Sequence, residues 1–271
     1  MLTGAPWPRA VTTSLGAMTA RAQRYDASVT RREQVSPHLV RLTLSVPGFT
    51  STGILDEWVG LVVPGQFQVR YYTVRSHAGD EVVIDVVVHD AGLVTEWAGR
   101  DCVCDALVVT APQGSFALPP AATWLLLVGD LTAMPAMARI TAAVDLPTRA
   151  WAEVPDDLPG YLPDGVDVTW LEPPAEGQSR LAEVVEGIDW PEGDGYFWMA
   201  GESAQMRTIR KHLMRERGLP NAAYDVMGYW RAVASRQPRT VDPGPIWRAG
   251  KAAGRTDEQI WAAYDEAARG V

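Results

Sequence analysis

Lysine is almost missing from this 271-residue chain, which has only Lys211 and Lys251. Arginine carries the remaining positive charge, and 24 basic against 33 acidic residues leave a formal net charge of -9. So acidic a chain offers no general basic field, which excludes nucleic acid as a partner class. Any anion would have to be met by local arginines. Cysteine is scarce as well. Cys102 and Cys104 sit two apart in an apolar run, too close for an ordinary disulfide and without the further ligands of a zinc site. They are expected to be strand residues in a reducing compartment. The four histidines, His38, His77, His89 and His212, are scattered with no second ligand at metal spacing, so no metal site is expected. The Gly-x-Ser-x-Gly context of a hydrolase is absent, and so is Gly-x-Gly-x-x-Gly. No apolar run reaches the roughly 18 residues needed to cross a bilayer. Thr12, Thr13 and Ser14 interrupt the N-terminus where a signal peptide would need continuity. The expectation is a cytoplasmic monomer with no membrane partner, a flexible tail over residues 1–24, and Met18 as an alternative start.

What remains is a chain with two rhythms. From 25 to about 120, short segments rich in Val, Leu and aromatics are bounded by Gly, Pro, Asp or Ser. Residues 39–44, 66–72, 82–88 and 106–110 are examples, and their spacing predicts an antiparallel barrel over 25–122. After Pro119-Pro120 the pattern changes to strand–helix alternation. Strands are expected at 124–128, 149–154, 166–171 and 196–200, with helices at 134–144 and 204–217, the second stopped by Gly218. Wholly apolar strands alternating with helices predict a parallel, doubly covered sheet, so 123–231 reads as a Rossmann-like α/β domain. Residues 232–271 read as a basic insertion followed by a C-terminal helix at 257–269.

The residues with the most chemical content are Arg70-Tyr71-Tyr72-Thr73-Val74-Arg75. A flavin held on a barrel needs an aromatic face, a hydroxyl near the reacting ring edge and a cation for the diphosphate. Arg70 and Tyr72 share one side of a strand by its two-residue period, with Thr73 at the turn out of it. Taken alone, the run equally fits an edge strand with ordinary aromatics. Further on, Gly92-Leu93-Val94-Thr95 opens a helix whose free N–H groups could hold a diphosphate, or is a plain turn with Thr95 as its cap. Ala111-Pro112-Gln113-Gly114-Ser115-Phe116 closes the first half.

In this order the blocks resemble the siderophore-interacting branch of the ferredoxin-reductase-like flavoproteins. Three later blocks fit the same pattern: Gly129-Asp130-Leu131-Thr132-Ala133, Trp198-Met199-Ala200-Gly201-Glu202 and Gly228-Tyr229-Trp230-Arg231. Ser36-Pro37 and Asp56-Glu57 also fit, and the resemblance spans about 25–231. It implies an FAD-binding barrel followed by an NAD(P)-binding domain, with NADH or NADPH as donor and reduced ferredoxin as an alternative. Arg70, Tyr72 and Thr73 would bind the FAD diphosphate and ring. His89 and the segment with Gly92, Val94, Thr95 and Trp97 would line the diphosphate and adenosine. Asp130, Thr132 and Ala133 would face the nicotinamide side, with Gly201 and Glu202 at its floor, where open α/β sheets bind ligands. Two departures stand out: Gly92-Leu93-Val94-Thr95 where the family has Gly-Pro-Ala-Ser, and Leu131 where it has an acid.

The implied activity is reduction of a ferric siderophore, which needs no general base and no catalytic side chain. Reduction weakens the bonds between iron and its hard oxygen ligands, and flavin links a two-electron donor to a one-electron acceptor. Arg231, Arg248 and Lys251, from a cluster holding one acid between 231 and 255, would bind the substrate, unless the cluster is a solvated tail. Glu153, Asp156 and Asp157 stand where an acid would bind a ribose hydroxyl, which leans towards NADH. Trp230 and Trp247 are the tryptophans expected near a ligand. The competing readings are a flavin reductase or biosynthetic redox enzyme with another acceptor, and a non-catalytic siderophore or flavin carrier.

Overall fold

The computed structural model describes residues 23–65, 69–89, 92–174 and 179–231, with positions 249, 250, 253, 255, 259 and 263 beyond them. The chain divides into two compact units, one through Trp230 and one from Arg231. The first unit begins with six antiparallel strands: β1 (Arg24–Ser36), β2 (Leu39–Ser45), β3 (Trp58–Val62), β4 (Arg70–Ala78), β5 (Glu81–Val87) and β6 (Ala106–Thr110). They close into a barrel in the order β1-β2-β5-β4-β3-β6. Its interior is built by alternation. Tyr25, Ala27 and Val29 of β1 point in while Arg24 and Asp26 point out, and Val82, Ile84 and Val86 do the same for β5. Each such aliphatic side chain contributes roughly 1.5–3 kcal/mol by leaving water. A helix of two turns, α1 (Leu93–Gly99), packs Val94, Trp97 and Ala98 against this core.

The strand expected at 66–72 instead begins at Arg70 and runs to Ala78; 66–68 lie outside the described residues. Thr73 is therefore inside β4, opposite Trp58 of β3, and not at a turn. The register of β4 against β5 slips between Val74 and Ser76, so Arg75 is a bulged residue. The cysteines are not in a strand either. They sit in the turn before β6, Cys102 buried and Cys104 exposed at φ 70°, both as free thiols. β1 takes in Arg24, the last residue of the expected tail; the rest of that tail, Gln23 apart, is outside the described residues.

The second half of this unit is a five-stranded parallel sheet. Its strands are β7 (Leu125–Asp130), β8 (Thr148–Glu153), β9 (Asp167–Leu171), β10 (Tyr196–Glu202) and β11 (Tyr224–Trp230), in the order β11-β10-β7-β8-β9. Every residue of β7 and β10 is buried, because both strands are inside the sheet and covered on both faces. The two-residue period sorts them: Leu125, Leu127 and Trp198 share a cluster with α2 (Met134–Ala143). Leu126, Val128, Phe197 and Met199 share the other with α3 (Leu181–Glu186) and α4 (Ser203–Lys211). A π-turn, His212–Glu216, extends α4, and Gly218 at φ 68° ends it. β11 adds a fifth strand to the four expected. Residues 232–248 and most of 257–269 are outside the described residues, of which Gln259 and Ala263 are helical.

Buried polar bonds join barrel and sheet. Glu57 is fully buried and accepts from Ser51 Oγ at 2.7 Å, from the Thr52 amide and hydroxyl at 2.8 and 2.7 Å, and from Arg139 of α2 at 2.9 Å. Arg139 also reaches the Val74 carbonyl at 3.1 Å. Burial alone would raise the Glu57 pKa, but these donors and the guanidinium charge hold it below the ordinary value. Asp56, also fully buried, accepts from the Ser115 and Phe116 amides at 2.8 and 2.9 Å and from Trp198 Nε1 at 3.2 Å. On the far side Asp85 takes a bidentate bond from Arg41, both arms 2.7 Å, and a third bond from the Tyr161 hydroxyl.

Candidate functional site

On the barrel side, Arg70 is exposed at the start of β4, and Tyr72 is half-buried against the barrel core. Burial pushes the Tyr72 phenol up to about 12, partly offset by the Arg70 charge. Thr73 is buried. Because β4 and β5 are antiparallel, the start of β4 shares one end of the barrel with His89, just past β5. His89 is exposed, and its ring lies beside Gly92, where a Cβ would sit 3.5 Å from His89 Cε1. Gly92 has φ 139°, a conformation open to glycine alone at little cost. The remaining expected residues of this segment turn inwards. Val94 and Trp97 are in the barrel core, and the Trp97 indole donates to Asp105 at 2.8 Å. Thr95 Oγ1 accepts from the His89 amide at 2.9 Å and donates to the Val87 carbonyl at 3.1 Å, which ties the end of β5 to α1. Those side chains are committed to the fold; the segment presents Gly92, the exposed Leu93 and His89.

On the sheet side, the positions expected to bind ligand lie at the carboxyl ends of adjacent strands. Asp130 ends β7, Glu153 ends β8, Glu202 ends β10, and all three are buried. Asp130 Oδ1 accepts from the Thr132 amide at 2.9 Å and its hydroxyl at 2.5 Å, and Oδ2 accepts from Trp230 Nε1 at 2.5 Å. Burial raises the Asp130 pKa above the ordinary carboxylate range, these bonds oppose the rise, and the Glu153 charge adds to it. Ala133 is buried as the cap of α2. Gly201 is required by close approach: a Cβ there would lie 2.8 Å from Asp130 Oδ2. Leu131, the departure noted in the sequence, packs into the core between sheet and α2. Among the described residues no set of three His, Cys, Asp or Glu is arranged to hold a metal ion.

The two sides meet at β4 and β11. Tyr229, half-buried near the end of β11, places its hydroxyl in a buried position facing the Thr73 side chain, without reaching hydrogen-bond geometry to any group. Burial lifts its phenol well above the usual range, with Thr73 the main opposing influence. The bulge turns Arg75 towards the sheet side as well: its guanidinium lies 5.3 Å from the Tyr161 ring centroid, and its Nε is buried without a partner. The sequence assigned no role to Tyr229 or Arg75, although both sit in the motif blocks. The orphaned Tyr229 hydroxyl beside Thr73 is a group that a barrel-borne ring with polar edges could help to satisfy, so the residues present fit a flavin at this place.

The acids read as a ribose site are otherwise engaged. Asp156 accepts from Ser36 Oγ at 2.5 Å, from the His38 amide at 2.9 Å and lies 2.8 Å from His38 Nδ1, so it binds the β1–β2 turn. Glu153 accepts from the Arg180 amide at 2.9 Å. Only Asp157 remains of the three, and the lean towards NADH loses its footing. Of the cationic set, Arg231 is exposed directly after β11, whereas Arg248 and Lys251 lie outside the described residues, as does Trp247.

Comparison with known proteins bears on the family and the fold. The model of the family described as "Siderophore-interacting protein" matches residues 122–233. An uncharacterized protein of Mycobacterium tuberculosis is 34% identical over 197 residues, covering 65% of this chain and 70% of its own. An Escherichia coli protein named as an NADPH-dependent ferric-chelate reductase is 29% identical over 240 residues, 76% of this chain and 92% of that one. The crystal structure of a siderophore utilization protein from T. fusca superposes with a TM-score of 0.67 at 27% identity, over 81% of this chain and 97% of the other. With its closed antiparallel barrel, its parallel sheet and these relatives, the chain belongs to the siderophore-interacting protein family.

Proposed function

We propose that this protein is an FAD-dependent ferric-siderophore reductase that draws its electrons from NADH or NADPH, or from a reduced ferredoxin. One observation carries the reading. Thr73, on the strand with the Arg-x-Tyr-Thr run, faces Tyr229 at the carboxyl end of the parallel sheet, which supports a flavin on the barrel meeting its donor at the strand ends. The E. coli relative's name, a ferric-chelate reductase, supports the activity, and the T. fusca title supports the siderophore link.

In this reading Arg70 holds the diphosphate by charge-assisted bonds, Tyr72 supplies an aromatic face and Thr73 a hydroxyl at the ring edge. His89 and Gly92 let the backbone approach the diphosphate closely. Bound FAD supplies the conversion of a hydride donor's two electrons into single electrons for iron. Asp130, held by Thr132 and Trp230, and Gly201 shape the floor on the donor side. The protein excludes water and positions partners; no side chain gains or loses a proton for iron to be reduced. Arg231, with Arg248 and Lys251, would meet an anionic ferric siderophore.

The test is anaerobic photoreduction of the FAD-loaded chain, followed by ferric siderophores added one at a time. Fast flavin reoxidation with matching ferrous iron in a chelator is the expected outcome. A reduced flavin that ignores every ferric complex but is reoxidised by quinones would replace this reading with a flavin reductase of another acceptor.

A further inference from the structure

We propose that Tyr229 is a positioning residue for the flavin: its phenol holds the Thr73 oxygen, so that the Thr73 hydrogen is turned towards the ring edge. This rests on the flavin reading above. The Tyr229 hydroxyl is buried with no partner in bonding geometry, and the polar group it faces is the Thr73 hydroxyl. A buried hydroxyl without a partner destabilises a fold, and a phenylalanine would fill the same volume without that cost. The ring is also fixed in place. It packs edge-on to Trp198, with centroids 6.4 Å apart, and the Trp198 indole donates to Asp56 at 3.2 Å. The backbone on either side is pinned too. Ser203 Oγ donates to the Trp230 carbonyl at 2.8 Å, and Gly228 leaves only 2.3 Å between a would-be Cβ and that same Oγ.

Two hydroxyls facing each other share two hydrogens, and the order of donation follows from acidity. A phenol is a far better donor than an aliphatic alcohol. Asp56, Asp225 and Asp130 all act to keep the phenol protonated. When a bound flavin draws the two hydroxyls into bonding distance, Tyr229 is therefore the donor to Thr73 Oγ1, and the Thr73 hydrogen turns to another acceptor. The oxidised ring edge offers a nitrogen lone pair, whereas the reduced edge carries N–H there. A Thr73 oriented as donor thus favours oxidised flavin. Freed from Tyr229, Thr73 can rotate and accept from the reduced form.

The experiment compares the full FAD-loaded chain with Tyr229→Phe, Thr73→Val and the double variant, reading the flavin midpoint potential and visible spectrum. Tyr229→Phe should raise the midpoint by about 30 mV, a tenfold shift in relative affinity for a two-electron couple. It should add nothing on the Thr73→Val background. The apo Tyr229→Phe protein should melt no lower than wild type, because it loses only an unpaired hydroxyl. Tyr229→Met provides the same readings should the Phe variant not accumulate. An unchanged potential in Tyr229→Phe, or an equal shift with and without Thr73, overturns the proposal while leaving flavin binding intact. A wild-type chain that takes up no FAD removes the flavin reading itself, and this inference with it.

Discussion

Asp156 and Asp225 each bond a barrel-half residue from the parallel-sheet half, yet answer pH with opposite signs. At Asp156, burial would raise the pKa, but Ser36 and His38 bring it below the ordinary carboxylate value. A depressed folded pKa contributes stability above the unfolded value, about 3.9, and loses it as pH falls through the folded one. Asp225 is raised by burial, despite the Ser115 hydroxyl 2.5 Å away, and the nearby Asp56 charge adds to the rise. Its contribution is full below the unfolded value and is lost as pH rises through the folded one. Melting curves across pH 3–8 should therefore show Asp156→Asn with a shallower acid limb than wild type. Asp225→Asn should instead lose the decline on the neutral side. Asp156 also shows what a sequence withholds at this scale. Its position after the second parallel strand is readable, but its partner Ser36 lies 120 residues away on a turn that only the closed barrel brings near. The Arg-x-Tyr-Thr run was readable because one strand carries all of it. Tyr229 opposite Thr73 was not, since no local pattern couples β11 to β4.

Full burial makes a strand easy to read, although β9, with no buried residue, was read as well. β7 and β10 were legible because every residue in them faces core. β1 was not picked out, because outward residues such as Arg24, Asp26 and Arg31 dilute its apolar signal. The extent of β4 was obscured by its bulge, which breaks the two-residue period at Arg75. At the junction of β7 and α2, packing is tight enough for a single methyl to matter. A Cβ on Gly129 would lie 2.4 Å from Ala133 Cβ and 3.3 Å from the Ala200 carbonyl oxygen. Gly129→Ala should cost about 1–3 kcal/mol by overpacking and disturb the end of β7 that carries Asp130. Gly99→Ala, with open space around it, should stay within about 0.5 kcal/mol. Chemical denaturation of the two variants beside wild type checks both values.

In the molecule as a whole, the barrel and the parallel sheet are coupled through buried charge. Removing Arg139 leaves Glu57 ionised in the interior with only hydroxyl and amide donors. Arg139→Leu should destabilise the protein by about 3 kcal/mol. Wild type should unfold in one transition by both tryptophan fluorescence and far-ultraviolet circular dichroism, whereas the variant should separate the two probes. Asp56 carries a consequence of another kind. One carboxylate on the barrel collects the amides of Ser115 and Phe116 and the indole of Trp198 from the middle of the sheet. The two halves are thus not interchangeable cassettes: a chimera that grafts another parallel-sheet lobe onto this barrel would leave a buried carboxylate one donor short unless the graft brings its own indole at the position of Trp198.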